Sequence, residues 1–579
     1  MKPVIPKVSD KLRLLLVLGT LFCLTLFASS SLFPPGFFTS HEGTNPIQRA
    51  LAITYEIKNG FYYPRWLSLS YYGMGSPFTN FYSPGFYLSA AYLHIMGVPL
   101  LTSIKLVCGS LFFIGALGMF LWTRRFYSPS GAMLSSVLYL LAPYHFVNIY
   151  VRGALSEFSA LAFLPFLFLG IDLSFTKSDK LAGNFLVALS SATILFFHHL
   201  SALLITPFAA LYFLFRAFHM RAGLATTLQS MFGVILGAGL SAFYWLPAIF
   251  ERRYLKWFEE ALTTGYYSYS NHFVHVWQLI STYWGFGGSN PGPSDGMSFQ
   301  IGLIILIVSI VALFSLLHTK SGHRWHPTVL LFLSVFALFL TTKSSSWLYS
   351  LFPWFSFIQF PWRFLGPATL FLSAFAGLTA NDSDTTHSVI KVPPGVTVAF
   401  VILLSLLFSA KYTAVGSHQT FLEKLNTSQA EKRIFNNRSL GNLCEKDEYL
   451  PRWVSDRILV SDQSSFQDPV VAGTRVENVL ITGAQISFSA LSDNDNSSLT
   501  IPWFFFPGWQ AQINGKYVYV GPDRNGFLTF DIPKGRHSVV VRFGTTVVRT
   551  IAWYITLATI LVAITLALLC IFKAEKIKN

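Results

Sequence analysis

KLRLLLVLGTLFCLTLFASSSLFPPGFFTSHEG, residues 11–43, holds the pattern that decides the fold: a basic flank, an apolar run, a proline stop and a small acidic motif. The run Leu14–Phe33 carries no charge and is long enough to cross a hydrocarbon layer of about 30 Å as a helix, and Pro34-Pro35-Gly36 ends it. It shares a basic start and small residues at Ser29–Ser31 with secretory leaders, but its continuation through Leu32-Phe33 predicts a retained span. Comparable runs recur at 101–122, 131–149, 155–175, 183–198, 200–218, 227–249, 299–317, 328–341, 364–380, 395–411 and 549–572. With 53% hydrophobic and 12% charged residues in 579, the chain is too apolar for a soluble globular protein. The expected fold class is mainly α: a polytopic transmembrane helical protein of about twelve spans with a C-terminal β-rich domain.

The formal net charge of +15 could point to nucleic acid, but no basic patch interleaved with aromatics stands on a soluble segment. No nucleic-acid partner is expected; the lipid bilayer is. With the N-terminus inside, Lys2, Lys7, Lys11 and Arg13 anchor the first span. Arg124-Arg125, Lys177/Lys180, Arg216/Arg221, Lys320/Arg324, Lys391 and Lys573/Lys576/Lys578 then all fall inside as the helices alternate. Both termini are expected to be cytoplasmic and the large C-terminal domain outside. Cys23, Cys108 and Cys570 fall in spans and Cys444 is alone in that domain, so no disulfide framework is implied.

The first outside loop, 34–100, offers Asn45 as an N-cap, Pro46 at the first helical position, Gln48 as a capping partner and Asn59-Gly60 as a stop. These predict a helix over 46–58, apolar at Ile47, Leu51 and Ile57, polar at Arg49, Glu56 and Lys58, lying along the membrane surface. Gly60–Trp66 and Tyr71–Pro77 are dense in aromatics, glycine and proline, which suits an interfacial loop as well as a sugar-stacking wall. Phe86–Met96 is short for a span and reads as a surface or re-entrant helix. Residues 412–548 change character: Asn514-Gly515 and Asn525-Gly526 are hairpin-turn dipeptides and Ser538–Phe543 reads as strand. Pro507-Gly508-Trp509 there suits a structural cap better than a carbohydrate contact.

Ionisable groups near spans are costly, about 2.5–3.5 kcal/mol at mid-bilayer, so those gathered on one side are informative. On the outside stand His41, Glu42, Arg49, His145, Arg152, Glu157, His198, His199, Glu251–Arg253 and Arg363. A carboxylate shortly before a helix start is favoured as the ion, which suits Glu42 to a general base taking a proton from an attacking hydroxyl. Arg152 and Arg363 suit phosphate, since guanidinium pairs with its oxygens as a fork. Glu157 with His198 or His199 is also a candidate divalent-metal shell beside Glu42. His41-Glu42 is no zincin motif, and no GxxxxGK[ST] or GxGxxG element is present, so a nucleotide cofactor is not expected.

Several stretches together carry a family resemblance: Ser40-His41-Glu42, Gly60–Trp66, Asn80–Pro84, Ala142–His145, Val151–Glu157, His199, Tyr244–Pro247 and Gln359–Phe364. With them the chain resembles the bacterial multispanning "6-pyruvoyl-tetrahydropterin synthase-related" membrane proteins, akin to C-type (GT-C) glycosyltransferases. The resemblance implies a GT-C-like transmembrane domain over 1–411, an extracytoplasmic β-rich domain over 412–548 and a final helix with a cytoplasmic tail over 549–579, in a bacterial inner membrane. It implies inverting transfer of a sugar from a polyprenyl-phosphate carrier to a glycan, lipid or protein acceptor, with Glu42 as base and His41 beside it. Arg49, Arg65, Tyr144, His145, Arg152, Glu157, His198, His199 and Arg363 would line the substrate site, and a divalent metal stays open. Glu42 departs from the Asp common at that family position, one methylene longer with the same chemistry. Two other readings stand beside this one: a transporter or flippase for a lipid-linked or polymeric substrate, and a non-catalytic envelope-assembly protein.

Overall fold

The computed structural model describes residues 10–318, 324–381, 392–420, 422, 428–437, 440–441, 443, 447–456, 474–495 and 497–578. Lys2, Lys7, Lys320, Lys391 and Cys444 lie outside them. Among the described residues nine helices are long and apolar enough to cross a membrane, and a tenth is formed if Leu224–Leu240 and Ala242–Tyr254, interrupted at Ser241, count as one. Two shorter apolar helices, Leu303–His318 and Trp325–Thr341, bring the segments to the number expected. Two spans expected as continuous are broken: 227–249 at Ser241, and 131–149 at Leu141-Ala142, beyond which Pro143–Phe146 leads into a π-helical turn, Val147–Arg152.

The contacts divide the chain into two discontinuous units. The first holds residues 1–43, 105–238 and 266–420. Helices Leu155–Ser174 and Lys180–Phe197 form a close antiparallel pair, because a Cβ at Gly183 would stand 2.3 Å from the Ser174 nitrogen and one at Gly170 2.7 Å from the Val187 nitrogen. Small residues thus let two backbones meet, the usual means of helix association in lipid. Leu155–Ser174 carries a carboxylate near each end. Asp172 accepts from Trp122 Nε1–H at 3.0 Å and Tyr212 O–H at 2.8 Å and forms an ion pair with Arg216 Nε at 3.1 Å. His326 Nε2 lies 2.8 Å from the same Tyr212 hydroxyl. Glu157, fifteen residues earlier, is about 22 Å away along the helix. Arg125, paired with Asp179 at 3.9 Å, shares the Asp172 end. Arg125 and Arg216 are thus gathered at the same end of Leu155–Ser174.

The second unit holds residues 44–104, 239–265 and 421–579. Its helix Asn45–Lys58 begins one residue earlier than expected, capped by Thr44, whose hydroxyl accepts from Gln48 Nε2 at 3.0 Å. The polar side of this helix does not face solvent: Arg49 is 3% exposed and Glu56 fully buried. Each polar side chain has a partner instead. Arg49 donates to the Leu443 carbonyl at 2.8 and 3.0 Å and to the Tyr87 hydroxyl at 3.1 Å, and its guanidinium lies over Phe78 and Tyr82. Glu56 accepts from the Ser68 hydroxyl, the Ser68 N–H at 2.8 Å and the Ala484 N–H at 2.9 Å. Burial pushes its carboxyl up to about 7. The aromatic loop is mostly core as well: Trp66, Tyr71, Phe78 and Phe81 are buried, with Trp66 edge-on to Trp509. Gly85–Ile95 is an 11-residue helix, about 16 Å long and too short to span.

Among the described residues eight strands follow in antiparallel sheets. One runs Thr474–Ile481, Gln485–Ser492, Gly535–Phe543, Trp509–Ile513, Lys516–Val518; the other Ser497–Phe504, Phe527–Ile532, Gly521–Pro522. Asn514-Gly515 makes the expected two-residue hairpin, with φ positive at both positions. Asn525-Gly526 closes the second, where Asp523 Oδ1 accepts from Asn525 and Phe527 N–H at 2.8 Å. Pro507-Gly508-Trp509 is structural: the Pro507 carbonyl accepts from Arg549 Nη2 at 3.1 Å, and Trp509 is buried. Arg549, on the final helix Val547–Lys578, also pairs with buried Glu251 at 2.8 Å.

Candidate active site

The Ser40-His41-Glu42 loop is fixed within the first unit by strand-like bonds. His41 N–H donates to the Val151 carbonyl at 3.0 Å, and Glu42 N–H to the Arg152 carbonyl at 3.1 Å. Gly153, at φ +72°, makes this approach possible: a Cβ there would stand 2.4 Å from Ser40 Oγ and 3.1 Å from Glu42 Cβ. Glu42 is partly buried, and His41, exposed, donates from Nε2 to the Phe286 carbonyl at 3.0 Å.

The π-helical turn that ends at Arg152 interrupts a span where the chain turns toward this loop; such turns recur at functional sites. Arg152 reaches Glu157 Oε2 from Nη2 at 3.0 Å, and Arg363 Nε faces the same oxygen at 3.3 Å. Tyr144 O–H donates to Glu157 Oε1 at 2.5 Å. Both arginines also hold an amide carbonyl four residues upstream: Arg152 that of Asn148, Arg363 that of Gln359 at 2.9 Å. Aromatic rings back both guanidinium groups, with Arg152 4.5 Å from the Trp362 centroid and Arg363 4.9 Å from that of Phe360. Glu157 is 3% exposed and each guanidinium side chain 9%. Two guanidinium charges share the Glu157 carboxylate, and the Glu42 loop is tied to the backbone of the first of them, with the Glu42 carboxylate in electrostatic reach of that same guanidinium. Guanidinium groups held side by side in this way can pair with phosphate oxygens as a fork.

Of the remaining expected residues, His198 and His199 stand within electrostatic reach of the cluster, His198 of Glu157, Arg363 and Arg152 and His199 of Arg363, whereas His145, Arg49 and Arg65 lie elsewhere. His198 caps the helix His199–His219, its Nδ1 accepting from the Ser201 N–H at 3.2 Å, and its ring lies 6.1 Å from that of His199. His145 is a core residue, edge-on to Tyr139 at 4.5 Å and near Phe158. Arg49 and Arg65 belong to the second unit, where Arg65 donates to Asn80 Oδ1 at 2.7 Å and to the Phe243 carbonyl at 2.5 Å. Among the described residues no group of three or more His, Cys, Asp or Glu is disposed to hold a metal ion. Glu157, placed in the candidate shell, is committed to Tyr144 and two guanidinium groups. Sequence reading passed over Asn148, Gln359, Trp362 and Gly153 as site residues; the shared offset of four between amide and arginine is the signal that could have found the first two.

No curated protein matches the sequence. Among solved structures, the arabinofuranosyltransferase AftD from Mycobacteria aligns at 14% identity and TM-score 0.43, over 73% of this chain and 27% of that one. The oligosaccharyltransferase AglB from Archaeoglobus fulgidus aligns at 13% identity and TM-score 0.38, over 75% and 60% of the two chains. The arabinosyltransferase EmbB from Mycobacterium smegmatis aligns at 12% and 0.33, over 93% and 63%. The chain therefore spans less than two thirds of the length of each. The sequence pattern of the 6-pyruvoyl-tetrahydropterin synthase related domain, described as a membrane protein, matches residues 79–416, more than half of the chain, and the chain belongs to that family.

Proposed function

We propose that this protein is an inverting membrane glycosyltransferase that moves a sugar from a polyprenyl-phosphate carrier to an acceptor outside a bacterial cytoplasmic membrane. The observation that carries the reading is the tie between the Glu42 loop and Arg152, with Glu157 drawing Arg152 and Arg363 onto one carboxylate. Glu42 takes the proton of the acceptor hydroxyl as its oxygen attacks the anomeric carbon from the face opposite the phosphate. The carbon–oxygen bond to phosphate breaks, the configuration inverts, and the leaving polyprenyl phosphate is stabilised by the two guanidinium groups. Glu157 and Tyr144 orient those groups. The ends of the spans that carry this cluster then face outward, and the Asp172 end faces the cytoplasm, in keeping with its basic residues. Incubating the purified protein in nanodiscs with a panel of labelled polyprenyl-phosphate sugars tests the reading: donor consumption supports it, and a donor left intact opposes it.

A further inference from the structure

Gln359 sits four residues before Arg363, 6% exposed, with its backbone at φ 63° and ψ −49°. Across it the Phe360 N–H donates to the Ile358 carbonyl at 2.6 Å. This is a γ-turn of the rare hand, a conformation that strains any residue with a Cβ and that glycine adopts freely. The position nonetheless carries a long amide, and the structure shows what that amide does. Arg363 Nη1 donates to Gln359 Oε1 at 2.9 Å and to the Ile358 carbonyl at 2.8 Å. A guanidinium can only donate, so the amide atom facing it is the oxygen. The Nε edge of the same guanidinium faces Glu157 at 3.3 Å. One γ-turn therefore supplies both acceptors for one edge of the guanidinium, and the carboxylate takes another. Strain at the turn is held in place by the buried rings that follow it, with Phe360 stacked on Trp362 at 4.9 Å.

From this we infer that Gln359 is a positioning residue, which acts through Arg363 to set the affinity for the phosphate of the lipid-linked donor. The inference rests on the proposed function. It differs from a purely structural role, in which the residue is needed only to make the turn, because the two roles respond oppositely to glycine. Gln359→Gly relaxes the backbone and removes the acceptor, whereas Gln359→Met keeps the side-chain length and the strain and removes only the acceptor.

The test is steady-state kinetics of both variants in nanodiscs with the polyprenyl-phosphate sugar that the wild type consumes, beside thermal unfolding of each. Positioning predicts that both raise the donor KM about tenfold, the effect of losing one hydrogen bond to a charged group, with kcat little changed. Both variants should still unfold cooperatively, so that the rise in KM is read on folded protein. A Gln359→Gly protein with wild-type donor KM overturns the inference, as does a KM rise in only one of the two variants. Both of those outcomes leave the glycosyltransferase reading intact. A wild type that consumes no donor overturns that reading and the inference with it.

Discussion

Replacing Gly153 with alanine tests whether the Glu42 loop works from its observed position. The added Cβ meets Ser40 Oγ at 2.4 Å and Glu42 Cβ at 3.1 Å, in a backbone held at φ +72°. Left-handed backbone costs an alanine about 1–2 kcal/mol relative to its preferred region, a modest loss of stability. The contact with Ser40 is about 1 Å short of ordinary separation, so the loop must move by that order, and a misplacement of about 1 Å can cost about 100-fold in rate. Gly153→Ala is thus expected to lower kcat about 100-fold in the labelled-donor assay while the protein still unfolds cooperatively, only slightly below the wild-type temperature. Removing the clashing hydroxyl in the double variant Ser40→Gly/Gly153→Ala should recover part of the rate. It should not recover all of it, because the Glu42 Cβ contact remains tight. Wild-type kcat in Gly153→Ala would refute the claim that the close packing of this loop on Arg152-Gly153 matters to the chemistry.

Other expectations follow from the same geometry. Glu157→Gln leaves two buried guanidinium groups without their shared counter-ion, and removal of one partner from such a cluster costs about 3–5 kcal/mol, readable in thermal or denaturant unfolding. Glu56, raised from 4.5 to about 7 by burial, binds a proton in the folded state over a range where the unfolded chain has lost it. Its contribution to stability is therefore fully present below about pH 4.5, falls as pH rises through about 7 and is then level, by an amount of order 3 kcal/mol; Glu56→Gln should flatten that dependence in unfolding measured against pH. Gly515→Ala, at φ +80° in the Asn514-Gly515 hairpin, should cost about 1–2 kcal/mol and speed hydrogen exchange in strands Trp509–Ile513 and Lys516–Val518.

Much of the helical framework was legible because a bilayer imposes length and charge rules on single segments, and those rules act locally. Asn514-Gly515 was legible for the same reason, since the turn needs φ positive at both residues. What escaped depends on distant partners. The polar side of Asn45–Lys58 reads as solvent-facing until Leu443 and Ala484, hundreds of residues later, supply the acceptor and donor that let Arg49 and Glu56 be buried. His145 carries the same chemistry as a site histidine and differs only in being packed among Tyr139 and Phe158. Arg152, Glu157 and Arg363 were singled out as costly charges near span ends, and that cost explains their convergence: each buried charge needs another. The strained backbone of Gln359 left no local trace, because a non-glycine residue with positive φ is set by surroundings and not by its own preference.

The most direct measurement is donor consumption by Glu42→Gln beside the wild type, in nanodiscs, with labelled polyprenyl-phosphate sugars and with thermal unfolding and donor binding followed in parallel. The account predicts that the wild type consumes one of the donors, while the variant folds and binds that donor as the wild type does but fails to transfer the sugar. Wild-type turnover in Glu42→Gln, or a wild type that leaves every donor intact, would contradict it.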